Sequence, residues 1–210
     1  ARKSSILIAG KAAMRRGIPV IMDMVGIGCS HFRKEITEAF LEQRTSGAPL
    51  ILKGNMSELK ALAGGGCIVS GVDVDPKDVL SETNREEIIQ LAKTVANTWS
   101  AVVLASGKTD LVTDGKEVCL IDNGCEMMGR ITGTGCMLNV LTAAYMSVGK
   151  PMAAAVAACV VLGISGEMAA GQSRGTGSFQ IAFQDALSCI RDEDIQNHMR
   201  ISFFGSGGIA

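Results

Sequence analysis

Aromatic residues are scarce in this chain, at 4% of 210 positions with one Trp and one Tyr. Its core must therefore be built from Ala, Val, Ile, Leu and Met, the residues that fill helix-covered sheets. An excess of either charge is missing too. The 20 basic and 21 acidic residues leave a net charge of -1, so there is no electrostatic case for nucleic acid or an anionic membrane, and a small partner is expected. Seven cysteines, at 29, 67, 119, 125, 136, 159 and 189, form an odd set without a CxxC pair. A zinc site or a disulfide framework is not expected from them, and a reducing cytoplasm suits them. The apolar stretch Pro151 to Ala170 is broken by Gly163, Ser165, Gly166 and Glu167, and it reads as a buried helix, not a membrane span. The opening residues do not show a charged-then-apolar leader. The two histidines, His31 and His198, have no Ser or Cys partner in their sequence context and read as structural or solvated.

What is present is an alternation of apolar runs with helical patterns, in a chain long enough for one sizeable core. Ser5 to Arg16 has helical spacing and stops at Gly17 before the apolar run Ile18 to Asp23. His31 to Gln43 reads as a helix and Pro49 to Leu52 as a buried strand, with Asn55 capping a helix through Leu62. After the Gly-rich and acidic interval 64 to 84, Arg85 to Asn97 is helical and Ala101 to Ala105 is a third strand. Leu111 to Thr113 and Val118 to Ile121 flank Asp114-Gly115 as a hairpin. Three helices are expected at Cys136 to Val148, Pro151 to Gly171 and Ser178 to Ile190, and Phe203 to Ala210 reads as a frayed tail. The pattern predicts an α/β fold, a mostly parallel open sheet flanked by helices on both faces. Ligands in such sheets bind beyond the carboxyl ends of the strands. Asp23, Lys53 to Glu58, Ser106 to Asp110 and the 131 to 136 loop all fall there.

The last of these segments carries the strongest chemical signal. In Ile131-Thr132-Gly133-Thr134-Gly135-Cys136, small residues allow close backbone approach, and the helix that follows aims free N–H groups and its positive dipole end at an anion. A phosphate is the natural occupant, and phosphoryl transfer to a small alcohol the implied chemistry. The other reading is a loop that only packs a helix on a sheet. Phosphoryl transfer needs magnesium, donors around the phosphates and a group to orient or deprotonate the acceptor. Asp23 and Glu58 are hard oxygen donors suited to magnesium, directly or through its waters. Lys53 offers a point charge for a nucleotide phosphate. Ser106-Gly107 either contacts phosphate or makes a turn. Cys136, at a helix N-terminus where a thiolate is favoured, is a proton-acceptor candidate, although a carboxylate is the more usual base.

Six segments together resemble the hydroxyethylthiazole kinases of the ribokinase-like superfamily: Asp23 to Gly28, Lys53 to Glu58, Gly71-Val72-Asp73, Ser106-Gly107, Thr132 to Cys136 and Gly175 to Phe179. Their order and spacing match over essentially the whole chain, and cysteine at 136, where most ribokinase-like enzymes carry aspartate, is the distinguishing residue. The resemblance implies ATP-dependent phosphorylation of 4-methyl-5-(2-hydroxyethyl)thiazole at its hydroxyl, for thiamine salvage. It gives Asp23 and Glu58 to magnesium, Lys53 and Ser106 to the nucleotide phosphates, and Gly133 to the substrate. The Gly133, Thr134, Gly135 and Cys136 backbone becomes an anion hole, with Cys136 at the catalytic-base position. A homotrimer with active sites between subunits is implied as well, as is one kinase domain over 1–210 whose N-terminal strand and helix region, with a substrate-contacting methionine, has no counterpart here. Three positions depart from the family pattern: Met24 replaces a usual proline, Lys53 an arginine and Ser106 a threonine. A ribokinase-like kinase for a related heterocyclic alcohol, and a non-catalytic binding or assembly protein on the same fold, are the alternatives.

Overall fold

The computed structural model describes residues 2–44, 47–64, 80–81 and 83–205. Among them lie eight helices, α1 Arg2–Arg15, α2 His31–Glu42, α3 Met56–Leu62, α4 Arg85–Trp99, α5 Thr134–Met146, α6 Pro151–Gln172, α7 Thr176–Cys189 and α8 Asp192–His198. Six strands, β1 Val20–Asp23, β2 Leu50–Asn55, β3 Val102–Ser106, β4 Asp110–Thr113, β5 Val118–Ile121 and β6 Ile201–Phe204, form one open sheet in sequence order. The Gly71-Val72-Asp73 segment lies outside the described residues.

Pairing is parallel from β1 through β3 and antiparallel from β3 through β6. From β1 through β5 the cause is in the connections. A parallel neighbour needs a crossover long enough to carry a helix, and α2, α3 and α4 supply it. The turns at 107–109 and 114–117 are too short for anything but a reversal. At the second turn Asp114 Oδ1 accepts from the N–H groups of Lys116 and Glu117, both at 2.9 Å, and Gly115 adopts φ +93°.

Strand residues alternate between two cores, one on each face. Leu50, Leu52, Val103, Ala105, Leu111, Val118 and Leu120 pack with α2, α3 and α4. Ile51, Val102, Leu104, Val112, Cys119 and Ile121 pack with α5, α6 and α7. The helices thus cover both faces, as the sequence pattern predicts. Helix α6 is apolar and long enough to cross a bilayer, yet 72% of its most apolar window is buried inside the fold. Its glycines permit close packing: a Cβ at Gly163 would lie 2.6 Å from the Asn123 Cβ, and one at Gly166 would run into the Met128 sulfur. On α7, Phe179 and Phe183 are fully buried and stacked at 5.5 Å.

The chain beyond α7 corrects the start of the expected tail, and 206–210 lie outside the described residues. Phe203 and Phe204 belong to β6, which pairs antiparallel with β5, and Phe204 lies under the Arg85 guanidinium at 4.4 Å. Arg200 fastens this strand. Its guanidinium donates to both oxygens of Glu167 on α6 at 2.6 and 3.2 Å and to the Asp122 carbonyl at 2.7 Å. Glu167 also accepts from the Gly124 N–H at 2.6 Å.

Candidate active site

The register of the parallel strands assembles the site. Asp23 closes β1 directly beside Lys53 on β2, and Asn55 at the end of β2 lies beside Ser106 at the end of β3. All of them therefore stand at the carboxyl edge of the sheet, where α5 begins. At its N-cap Gly133 adopts φ +105°, a conformation that favours glycine, and no side chain caps the helix. The first N–H groups of α5 remain directed outward.

Lys53 connects the two halves. Its side chain is 9% exposed, and its Nζ lies 3.6 Å from Asp23 Oδ2. The same Nζ is 3.1 Å from where a Cβ would stand on Gly135, so a side chain at 135 would press on the ammonium group. A buried cation needs a partner, and Asp23 provides it while leaving the positive charge beneath the α5 N-terminus. Asp23 is held on three sides. Oδ1 accepts from the Val25 N–H at 3.1 Å, and Oδ2 faces Lys53 and accepts from the Asn139 side-chain amide. Cys136 sits on the first turn of α5 with its side chain exposed.

Glu58 is turned inward. One oxygen accepts from the Gly26 N–H at 2.7 Å and the other from the Asn55 N–H at 2.7 Å, while Asn55 Oδ1 accepts from the Glu58 N–H at 2.9 Å. The last two bonds form a capping box at the start of α3. The first ties the 24–29 loop to that helix. Burial pushes the Glu58 carboxyl up, against the downward pull of the Gly26 and Asn55 N–H groups. Ser106 Oγ donates weakly to the Gly54 carbonyl at 3.4 Å. The loop beyond it is set by Asp110, which accepts from the Gly107 N–H at 2.8 Å. Burial pushes the Asp110 carboxyl up to about 6. His31 opens α2 and His198 closes α8, both exposed. Asn139 is the site residue that sequence reasoning missed; Asp110 was placed at this edge with Ser106 but given no role. Asn139 stands three positions after Cys136 as a lone amide in an apolar helix, a usable signal only once its partner is known.

The family model for the hydroxyethylthiazole kinase family matches residues 1–193. The chain belongs to the hydroxyethylthiazole kinase family. It is 37% identical over 203 residues to a hydroxyethylthiazole kinase 2 of Clostridium botulinum, covering 97% of this chain and 75% of the relative. It is 38% identical over 202 residues to the hydroxyethylthiazole kinase of Thermoanaerobacter pseudethanolicus, covering 95% and 73%. The solved hydroxyethylthiazole kinase of Pyrococcus horikoshii superposes with TM-score 0.83 at 31% identity, over 96% of this chain and 72% of that one. The pyridoxal kinase of Staphylococcus aureus in complex with AMP-PCP and pyridoxal shares the fold, with TM-score 0.60 at 17% identity over 97% and 69%. The fold is that of the ribokinase-like kinases.

Met24 and Lys53, where the resemblance leads one to expect proline and arginine, have a defined structural setting. Met24 is fully buried, and its N–H donates to the Lys53 carbonyl at 2.8 Å, a bond that proline cannot make. Its side chain packs over Gly54, where a Cβ would lie 3.1 Å from both the methionine methyl and a Glu58 oxygen. Arg33 adds a further tether by donating to the Val25 carbonyl at 2.9 Å. Lys53 presents a compact charge and not a fork, and that charge lies between Asp23 and Gly135.

Proposed function

We propose that the protein transfers the γ-phosphoryl group of ATP to the hydroxyl of 4-methyl-5-(2-hydroxyethyl)thiazole, giving the phosphate used in thiamine salvage. The observation that carries this reading is the junction of the Lys53 ammonium with the uncapped start of α5, in a chain whose family is named for that reaction. The N–H groups of 134–136 and the ammonium beneath them form a cradle for a transferring phosphoryl group, and charge stabilisation of that kind is the main protein contribution to this chemistry.

In this reading Lys53 and Ser106 hold the nucleotide phosphates and Gly133 lies against the thiazole alcohol. The alcohol oxygen forms a bond to the γ-phosphorus as the bond to the ADP oxygen breaks, and the hydroxyl proton leaves toward the Cys136 sulfur. Exposure of Cys136 at the mouth of the cradle supports that role. Magnesium fits the residues present as a largely hydrated ion. No group of three His, Cys, Asp or Glu gathers among the described residues, and magnesium takes one or two carboxylates with substrate phosphates and keeps its waters. Asp23 is the carboxylate at the cradle. Glu58, with both oxygens holding N–H groups, would serve it from behind through a water. The ion would supply charge neutralisation between the phosphates.

A homotrimer with sites shared between subunits belongs to the same proposal. Val140, 72% exposed on α5, and Val148, 85% exposed just beyond its C-terminal end, are apolar surface that a neighbouring copy would cover. Light scattering checks the assembly. The decisive assay offers ATP and magnesium with the hydroxyethylthiazole and a panel of other heterocyclic alcohols. Phosphorylation of the thiazole above the others is expected. Turnover of another alcohol alone overturns the substrate, and nucleotide binding without any turnover overturns catalysis.

A further inference from the structure

Asn139 has a defined orientation and one unmet hydrogen bond. A carboxylate only accepts, so the end of the Asn139 amide that meets Asp23 Oδ2 must be its NH2 group. The carbonyl oxygen is thereby turned the other way. That oxygen is buried, and it has no hydrogen-bond partner among the described residues. Buried acceptors are rarely left so, and the surroundings narrow what would meet it. Neither the Lys53 ammonium nor the Val25 N–H bonds to it; both face Asp23. A bound water or ligand is the donor that would meet it.

Resting on the reading of Asp23 as the magnesium carboxylate, we propose that Asn139 is a positioning residue for the metal. Its NH2 group fixes the Asp23 carboxylate, and its carbonyl oxygen takes a hydrogen bond from a water of the magnesium shell. Magnesium retains several waters in such sites, and partners one step out from a metal typically carry a 10–100-fold effect on its affinity. The placement also explains the lone amide on helix α5. Asn139 joins the cradle helix to the edge strand that carries Asp23, so the carboxylate and the anion-binding N–H groups keep a fixed spacing.

The test is binding of manganese, as a paramagnetic substitute for magnesium, to the full chain with saturating ADP and no acceptor alcohol, read by electron paramagnetic resonance. Asn139→Leu keeps the branched shape and removes both hydrogen-bonding groups. It should weaken manganese binding about tenfold and leave metal-free ADP affinity within about twofold. Asn139→Ala, which suits a helix, supplies the same comparison if the leucine variant fails to fold. Manganese affinity unchanged in a folded variant overturns the proposal. So does an equal loss of metal-free ADP binding, which would mark a general disturbance of the cradle. A wild-type chain that binds manganese with ADP but leaves the thiazole unphosphorylated counts against the substrate assignment and not against Asn139.

Discussion

Removing the Glu58 carboxylate should cost the fold several kilocalories. Its two oxygens hold the Gly26 and Asn55 N–H groups, each at 2.7 Å, from a residue only 6% exposed. Hydrogen bonds to a charged group contribute about 1.5–3 kcal/mol each. The capping-box member starts a short helix whose end water can reach, so it belongs near the lower figure. The Gly26 bond is buried and ties two segments 32 residues apart, so it belongs nearer the upper. Together these give a loss of about 4 kcal/mol for Glu58→Ala, and a melting temperature lower by about 10 °C in a chain of this size. Urea unfolding followed by circular dichroism at pH 7 measures the first, and calorimetry the second. Glu58→Gln should lose about half as much, because the amide accepts one N–H and points its own donors at the other. The pH dependence has a defined sign. Burial raises the folded-state carboxyl above its ordinary value of 4.5, so the folded protein holds that proton more tightly than the unfolded chain. Stability from Glu58 is then fullest below the ordinary value and declines as pH rises through the raised one. The advantage of wild type over Glu58→Gln should accordingly narrow from pH 4 to pH 8. An alanine variant within about 1 kcal/mol of wild type would show that water serves these N–H groups equally well. A difference that widens with pH would show the two N–H bonds outweighing burial.

Asp110→Asn keeps the acceptor for Gly107 and removes a carboxyl raised from 3.8 to about 6. Wild type should therefore lose stability relative to the variant as pH rises from 4 to 7, by at most about 3 kcal/mol; parallel urea midpoints across that range would refute it. Gly163→Ala drives a Cβ to within 2.6 Å of Asn123 and should destabilise by about 3 kcal/mol despite a helix-propensity gain. Gly171→Ala on the same helix meets nothing within 4 Å, and should be neutral or stabilising by up to about 1 kcal/mol; equal losses in the two would sink the packing argument. Cys136→Asp should retain or raise turnover if the residue only accepts the proton, whereas loss of all activity with the fold intact would assign the thiol itself a role.

Much of the frame was legible in the sequence, and for physical reasons. Runs such as Ile51-Leu52 and Val102 to Leu104 are buried from both faces, so they read as continuous apolar strands, and the polar residues that end them stand at the site. Asp114-Gly115 announced its hairpin through turn chemistry alone. Strand β6 was not legible. Ile-Ser-Phe-Phe is four residues followed by glycine and serine, and its stability comes from Arg200 and Arg85, whose partners Glu167 and Phe204 are fixed only by the fold. Helix α8 is polar except for Ile195 and carries no apolar period. At the site, Asp23 and Lys53 were readable as strand-end charges, but their pairing depends on a parallel register. Asn139 was hidden because its partner lies 116 residues away. Glu58 could be placed at a strand-to-helix junction from sequence, yet which way its carboxylate turns is settled by the Gly26 loop.

The attachment of β6 bears on the order in which the molecule folds. Arg200 and Asn123 meet across 77 residues of chain, and the segment between them contains α5, α6 and α7. Closing so long a loop gains little until those helices have docked and shortened it. The hairpin of β4 and β5 can form from local contacts, with its outer edge open, well before β6 arrives. The ion pair of Arg200 with Glu167 then joins the strand to a helix already in place. Such a late contact influences unfolding more than folding. The final strand is therefore the element that governs how long the assembled sheet persists, and that control lies far along the chain from the cradle of α5.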